Sequence, residues 1–436
     1  MGKILTLDIG SSSSKLCLSE KKFNNLEILF YAEKTYANPV RDNLSNEMID
    51  VISNQLKNLI RDYKNVENEI IDCNISFSGT NVSSVIIESS LENLDSSKII
   101  TQEQLNLLTK NNPKINSFSS KKTAHIIALD YSLDGMIGIR HPLGMHSKNI
   151  LVQNLYVNID SEHYEKIVKA VTDSGLKCNF ITSDIVALSK YLLNSDEREI
   201  GSLIIDIGSS TTSYCLSKKG NPILTGALPV GGSQFTSDLS IAFSTNIDFA
   251  NQLKLETSCT PENERIAEKV IVRDKDSSKT FEITKRQISQ VLKERAVEIF
   301  TLIKQDIIEK MGVENLPERL ILCGGGSKLQ GIVALGRYIF QSKARLAETK
   351  NLKFLGENLP IESMAVISSA NLIHELDFQN EYIHKSNSFM SENGINSFSI
   401  ETKKLSSISS NVENNVKMLL LNINQYIKKF ISSIKR

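Results

Sequence analysis

The sequence predicts an α/β protein of two related halves facing each other across a cleft, and three observations carry that prediction. Short apolar runs of strand length alternate with stretches of helical period. One strand-and-turn unit occurs twice, about 200 residues apart, as Leu5-Thr6-Leu7-Asp8-Ile9-Gly10-Ser11-Ser12-Ser13-Ser14-Lys15 and as Leu203-Ile204-Ile205-Asp206-Ile207-Gly208-Ser209-Ser210-Thr211-Thr212. A third apolar strand, Arg319-Leu320-Ile321-Leu322-Cys323, runs into the glycine turn Gly324-Gly325-Gly326-Ser327.

Composition narrows the function classes. The 436 residues hold 50 Lys+Arg against 50 Asp+Glu and no Trp, so no whole-protein basic field points to nucleic acid. The six cysteines, at 17, 73, 178, 215, 259 and 323, form no C-x-x-C pair and read as reduced, mostly buried thiols of a cytosolic protein. His141 and His146 flank a Pro-Leu-Gly turn without metal-ligand spacing. Met1 to Lys3 leads straight into a strand, which argues against a secretory leader, and no apolar run approaches the roughly 20 residues of a membrane span.

In chain order, each repeat is a strand, an acid, a small-residue turn and a second strand (Lys15 to Leu18; Ser213 to Leu216). Glu27 to Thr35 adds a strand, Asn46 to Asp62 an amphipathic helix, and Ile70 to Ser78 a strand ending in a glycine turn. From Val82 to Val157 the texture changes to a small unit of strands plus one helix, with Thr101 and Gln104 spaced as a capping box. A helix over Ser161 to Ser174, a strand at Cys178 to Ile181 and a helix over Asp184 to Leu193 return to the first pattern, and Asp196-Glu197-Arg198-Glu199 reads as a charged turn. After the second repeat, Leu228-Pro229-Val230-Gly231-Gly232-Ser233 opens a helix over Phe235 to Phe243 with Ser233 or Thr236 as its cap, a helix start suited to anions. A hairpin (Glu268 to Arg273, Thr280 to Ile283) precedes a long helix, Lys285 to Met311, opened by Thr284, ended by Gly312 and weakened at Arg295. Helices over Leu329 to Phe340 and Met364 to Leu376 close the folded body.

Residues 376–411 are rich in Ser and Asn and read as a flexible linker. Beyond it Val416, Leu419, Leu420, Ile423, Ile427, Phe430, Ile431 and Ile434 keep helical spacing, with Lys417, Lys428 and Lys429 away from the stripe. Such stripes generally mark a core or partner helix; a terminal position, a preceding linker and a lysine-rich polar side favour an anionic lipid surface.

The paired hairpins have phosphate-binding logic. Small residues let backbone N–H groups approach phosphate oxygens, and a neighbouring carboxylate, Asp8 or Asp206, can hold Mg²⁺ through water. Either copy alone also fits a plain tight hairpin; two copies and the glycine turn favour nucleotide. Lys15 suits the β- and γ-phosphates, and Ser213 stands in its place in the second copy.

At these residues the chain resembles the actin-like ATPase superfamily. Asp8, Gly10, Ser11, Ser12 and Lys15 are similar to its first phosphate motif; Asp206, Gly208, Ser209, Ser210 and Thr211 to its second; Leu322 to Gly326, with Ser327, to its adenosine motif. Within that superfamily it resembles the FtsA family of bacterial cell-division proteins, through Leu228 to Gly232 with Thr236 to Phe243, and through Asp196 to Gly201. The resemblance implies an actin-like fold with ATP and Mg²⁺ in the cleft. It implies halves at 1–82 with 161–200 and at 201–241 with 308–375, an inserted subdomain at 83–160, an outer subdomain at 242–307 that receives the C-terminal tail of the tubulin-like FtsZ, and a membrane-targeting helix at 412–436. Self-association into filaments, recruitment of other division proteins and residence on the inner face of the cell membrane at the division site are implied likewise. Gly231 and Gly232 would border the nucleotide and Lys293 and Arg295 would face it, although a solvated charged face explains the last two equally. Asp184 matches the position of a water-orienting acid, but also that of a helix cap. Ser209 and Ser210 replace glycines usual in the second motif, which suits holding ATP more than hydrolysing it. Two alternatives share the superfold: a small-molecule kinase, which needs a dedicated base, and a pilus-assembly protein, which needs no lipid helix of its own.

Overall fold

The computed structural model describes residues 3–22, 25–36, 45–64, 72–95, 97–109, 120–264, 268–273, 280–348, 353–354, 360–387 and 400–405. Its contacts divide the chain into two compact units, with residues 1–199, 215–226 and 349–406 in the first and residues 200–214 and 227–348 in the second.

The first repeat becomes β1 (Ile4–Ile9) and β2 (Ser13–Lys22), and β3 (Asn25–Thr35) continues the meander. Helix α1 (Asn46–Lys64) leads to β4 (Asp72–Phe77). Next come β5 (Val82–Glu92), α2 (Gln102–Thr109), β6 (Lys121–Leu133), β7 (Met136–Ile139) and β8 (Asn149–Asp160). Helix α3 (Ser161–Asp173), β9 (Lys177–Ser183), α4 (Asp184–Tyr191) and α5 (Ser195–Ile200) follow. The second repeat forms β10 (Ser202–Ile207) and β11 (Thr212–Lys218), with β12 (Asn221–Leu228) after it. Then come α6 (Gly232–Ala242), α7 (Ile247–Glu256), β13 (Lys269–Arg273), β14 (Thr280–Thr284) and the long α8 (Lys285–Met311). The remaining elements are β15 (Arg319–Cys323), α9 (Ile332–Phe340), β16 (Lys343–Leu346), β17 (Lys353–Phe354), α10 (Met364–Asn387) and β18 (Ile400–Leu405).

Duplication is written into the sheets. The first has the order β17-β3-β2-β1-β4-β9, the second β12-β11-β10-β15-β16. Apart from β17 at the edge of the first, each runs meander, acid-bearing central strand, then two crossover strands; β1 pairs antiparallel with β2 and parallel with β4, and β10 pairs parallel with β15. The expected α/β architecture of two related halves is what the chain adopts. Central strands read as near-continuous apolar runs because they are covered on both faces: Leu5, Leu7, Leu203, Ile204, Ile205, Leu320, Ile321 and Leu322 are all buried. In the first unit α1 lays Ile52, Leu56 and Leu59 into the core with Ile75, Phe77 and Val171. On α10, Val366, Ile367 and Ala370 join Cys17, Leu26 and Ile28. In the second unit Phe300 of α8 meets Phe340 of α9 edge-on, with ring centroids 6.1 Å apart.

Residues 82–160, joined by β18 from 400–405, make a third sheet, β18-β5-β8-β6-β7, with a core of Leu91, Ile100, Leu105, Leu108, Tyr131, Ile150 and Val152. The Thr101–Gln104 capping box forms reciprocally, Thr101 N donating to Gln104 Oε1 (3.0 Å) and Gln104 N to Thr101 Oγ1 (3.3 Å). Thr284 opens α8 in the same way with Gln287, and Gly312 stops it at a φ of 87°.

Three readings need correction. Asp196 to Glu199 is not a turn but part of α5, because Asn194 and Glu197 form their own reciprocal cap (Glu197 N to Asn194 Oδ1 2.8 Å, Asn194 N to Glu197 Oε2 3.0 Å). Neither Ser233 nor Thr236 caps α6; the N-cap is Gly231, whose own N–H donates to Gln234 Oε1 at 2.8 Å. The span 376–411 is not uniformly a linker, since α10 runs on to Asn387 and 400–405 form β18 against β5. An edge strand needs only backbone donors and acceptors, so apolar periodicity does not announce it.

Cysteine placement fits thiols held by burial. None of the six is in a disulfide; Cys17, Cys73, Cys215, Cys259 and Cys323 are buried, while Cys178 is half-buried. Burial pushes Cys17 up to about 12 and Cys215 to about 11.

Two buried imidazoles set a pH limit. His125 accepts from the Ser183 N–H at 2.8 Å through Nε2, and burial, with the Lys190 charge, lowers its pKa to about 4. His374, beside Ser19 Oγ at 3.1 Å, is lowered to about 4 chiefly by burial. An unfolded histidine protonates near 6.5, so between that pH and about 4 the unfolded chain binds protons the folded chain refuses. Stability should be full above that range and fall as pH drops through it, by on the order of 1–3 kcal/mol per histidine, read from urea midpoints at successive pH values. Phe300→Ala should cost about 3–5 kcal/mol at pH 7.5 in the same assay.

Candidate functional site

The two repeat turns are built alike down to single hydrogen bonds. In the first, Gly10 N donates to Ser13 O at 3.0 Å; in the second, Gly208 N donates to Thr211 O at 2.9 Å. A Cβ at Gly10 would stand 3.3 Å from Ser13 O, and one at Gly208 3.0 Å from Thr211 O. Glycine is thus set by turn tightness, not by φ, for neither adopts positive φ. Ser209 and Ser210 also avoid positive φ, so serine enters that turn without backbone strain.

Electrostatics distinguish the copies. Asp8 and Lys15 are register partners across β1 and β2, and their side chains form a buried ion pair at 2.9 Å. Neighbouring Ser13 Oγ donates to Glu33 Oε1 at 2.6 Å, and Ser14 Oγ bonds to Tyr36 Oη. With Ser213 at the Lys15 position, Asp206 has no such lysine on its strand partner.

In the second unit three glycine turns meet at the carboxyl end of β10. Gly232 N donates to Gly208 O and Ser233 N to Ser209 O, both at 2.8 Å, and Ser233 Oγ adds a bond to Ser209 O at 2.8 Å. A Cβ on Gly231 would fall 2.6 Å from Ser209 O and 2.7 Å from Gly208 O. From the other side Gly324, at a φ of 78°, abuts Asp206: a Cβ there would overlap Asp206 Oδ1 and lie 2.6 Å from Ile207 O. Gly326 would press a Cβ into Ile207, and Ser327 Oγ donates to Gly324 O at 2.7 Å. Gly231, Gly232, Gly324 and Gly326 are therefore packing glycines that let loops close around the acid. The first N–H groups of α6 are occupied by Gln234, Gly208 O and Ser209 O, which corrects the reading of that helix start as an anion site. Gly325 begins a short 3-10 turn over Gly325–Lys328.

One cation near these turns had no signal in the sequence. Lys254 of α7 reaches back to Thr236 Oγ1 (2.9 Å) and the Gly232 carbonyl (3.5 Å), and burial lowers its pKa. Only the fold of α7 onto α6 reveals it, since nothing in its local sequence differs from a surface lysine.

Other expected residues lie elsewhere. Arg295 is tied into a buried cluster, with Nε 2.6 Å from Asp238 Oδ2, Nη2 2.8 Å from Asp238 Oδ1, and Nη1 on Glu298. Burial works against its charge, but the Asp238 and Glu298 partners outweigh it and raise its pKa; burial raises Glu298 despite the same arginine. Lys293 pairs with Glu262 at 2.7 Å. Asp184 is buried as the first residue of α4, with Ser183 as N-cap, and its Oδ1 accepts from Ile185 N at 2.5 Å. The apolar and basic positions from Val416 to Ile434 lie outside the described residues.

Among the described residues no three His, Cys, Asp or Glu side chains group as a metal cage. Mg²⁺ keeps its waters and takes one or two acids plus substrate phosphates; Asp8 is buried and paired with Lys15, and Asp206 lies against Gly324.

A family model described as cell division protein FtsA matches residues 203–369, the span that holds all three glycine turns. Cell division protein FtsA of Pseudomonas aeruginosa is 29% identical over 252 residues, 57% of this chain and 60% of that protein. FtsA of Borreliella burgdorferi is 23% identical over 358 residues, 81% of this chain and 86% of the other. The chain is related to the FtsA family of cell-division proteins. FtsA of Escherichia coli K12 is 24% identical over 261 residues, covering 58% and 62%. The chain thus spans about 60% of the Pseudomonas and Escherichia FtsA proteins and most of the Borreliella one. Among solved structures, the PilM-PilN type IV pilus biogenesis complex superposes with a TM-score of 0.59 at 16% identity, covering 84% of this chain and 97% of that one. MreB5 of Spiroplasma citri bound to ADP gives 0.53 at 14% identity, covering 87% and 98%. These two likenesses show an actin-like fold.

Arg295→Met should cost about 3–5 kcal/mol, because it strands two buried carboxylates; combining it with Asp238→Leu and Glu298→Leu should recover most of that loss in the same denaturation assay. An Arg295→Met protein as stable as the parent would refute the structural role.

Proposed function

We propose that the chain is an actin-like, ATP-binding cell-division protein that polymerises and tethers FtsZ filaments to the inner face of the cytoplasmic membrane. The observation that carries this reading is the acid-turn unit, present twice with the same turn hydrogen bond and the same place in its sheet, within a chain related to FtsA. Asp8 to Lys15 and Asp206 to Thr211 are its phosphate-contacting turns, and Leu322 to Gly326 the adenosine segment. Lys15, already paired with Asp8, is placed to trade that partner for β- and γ-phosphate oxygens. Mg²⁺ would supply charge for the phosphates while Asp8 and Asp206 hold its waters. ADP bound in the related MreB5 fold supports the nucleotide class.

We assign no general base for fast turnover among the described residues. Asp184 is the only carboxylate assigned to orient water, and its bond to Ile185 N takes up one of its oxygens. The protein is therefore a holder of ATP with weak or no ATPase activity, and its nucleotide state governs assembly instead of driving rapid chemistry.

For FtsZ, the outer subdomain at 242–307 presents exposed Ile247, Leu255 and Ile271, apolar positions suited to an amphipathic tail. For the membrane, the stripe from Val416 to Ile434 with its lysines is the anchor. Among the described residues no helix is long and apolar enough to cross a bilayer, and a peripheral helix needs none.

Two measurements test the proposal. Lys15→Ala should weaken binding of a fluorescent ATP analogue by about tenfold or more, the loss of one charge-assisted phosphate contact; unchanged affinity would remove the phosphate assignment. Deleting Asn411 to Arg436 should abolish pelleting with anionic liposomes and leave ATP binding intact, whereas pelleting that survives would refute the lipid anchor.

A further inference from the structure

Four consecutive serines, Ser11 to Ser14, make the first turn and the start of β2, and their surroundings divide them. Ser11 and Ser12 are half-buried. Ser13 and Ser14 are buried, and their hydroxyls bond to residues on or just past β3: Ser13 Oγ donates to Glu33 Oε1 at 2.6 Å, and Ser14 Oγ bonds to Tyr36 Oη. Register explains the first of these. Lys15 stands opposite Asp8 on one side and Glu33 on the other, and Ser13 stands opposite Thr35, so Glu33 is the direct neighbour of Lys15 and the diagonal neighbour of Ser13 on one face of the sheet. From two residues back on the same strand, Tyr31 Oη donates to Glu33 Oε2 at 3.1 Å. Burial, and after it the charge of Glu33, raise the Tyr31 pKa, so that hydroxyl stays a donor. Glu33 itself is exposed, and its carboxylate accepts both bonds without the cost of a buried charge.

We propose that Glu33, on another strand from the turn, is the positioning residue of the first phosphate turn: it braces the turn through Ser13 and commits the Ser13 hydrogen, leaving donation to phosphate to the backbone and to Ser11 and Ser12. Ser13 is the residue on which the turn closes, because its carbonyl accepts from Gly10 N at 3.0 Å, and the Tyr36 N–H adds a second tie from β3's end to Ser12 O at 2.8 Å. A hydroxyl donating to a carboxylate makes a charge-assisted bond, stronger than one between neutral groups. The brace needs an acceptor at Glu33 and not its charge, which separates it from a counter-ion for Lys15. It belongs to the first copy alone: Thr211 holds the corresponding position in the second, and β12, the strand beside β11, carries no acid. The proposal rests on the phosphate reading of Asp8 to Lys15.

The test uses the full chain in two arms. Without nucleotide, Glu33→Ala should speed hydrogen–deuterium exchange over residues 10–14 by about fivefold or more while exchange in α1 keeps its parental rate, and Glu33→Gln, whose side-chain oxygen still accepts from Ser13, should restore the turn. An unchanged turn, or exchange that speeds equally throughout the chain, would overturn the brace. With Mg²⁺ and a fluorescent ATP analogue, Glu33→Ala should bind about fivefold or more weakly and Glu33→Gln within about twofold of the parent, and adding Ser13→Ala to Glu33→Ala should cost nothing further. Glu33→Gln binding as weakly as Glu33→Ala would assign the effect to charge and overturn the brace. Lys15→Ala, measured alongside, separates the two claims. Weak binding by that variant with parental binding by Glu33→Ala sinks the brace alone; parental binding by both sinks the phosphate reading with it.

Discussion

The second unit depends on backbone approaching backbone around the carboxylate of Asp206. Gly231 lies against the carbonyls of Gly208 and Ser209, Gly324 lies against Asp206 itself, and Gly326 against Ile207. Each approach is closer than a Cβ permits, and together they come from two parts of the sequence distant from Asp206. Three loops thereby become one small rigid assembly at the carboxyl end of a buried parallel strand, where open α/β sheets place their ligands. The positions of the loops are set by the tightness of the backbone packing.

The first turn solves a similar problem with charge. Lys15 lies across from Asp8 on the neighbouring strand and neutralises it. A buried acid without such a partner is costly. In the second copy Ser213 stands at the lysine's position, and Gly324 packs against the acid. The duplication conserved a hairpin and its turn hydrogen bond, while the two copies found different ways to keep a carboxylate at the mouth of a strand.

Much of this was legible in the sequence because the signals are local. Strand–acid–turn units, the caps at Thr101 and Thr284 and the stop at Gly312 all depend on residues within a few positions of one another, and the structure has them where the pattern put them. What escaped depends on distance. Arg295 reads as a polar interruption of a helix until Asp238, brought alongside it by the packing of α6 on α8, turns it into a buried ion pair. Lys254 has no signal at all without the fold of α7 onto α6. The helix start at Gly231 and Gly232 looked suited to an anion, but the Gln234 side chain claims the Gly231 N–H and the sequence-distant Gly208 carbonyl claims that of Gly232. β18 is silent because backbone pairing at an edge asks little of side chains.

Hydrogen–deuterium exchange of the full chain with and without Mg²⁺ and ATP is the sharpest test of the proposal that the repeat turns contact nucleotide phosphates. Exchange should slow at residues 10–15 and at 208–211, with 324–327 following. Protection of neither turn, or of one turn alone at saturating nucleotide, would contradict it.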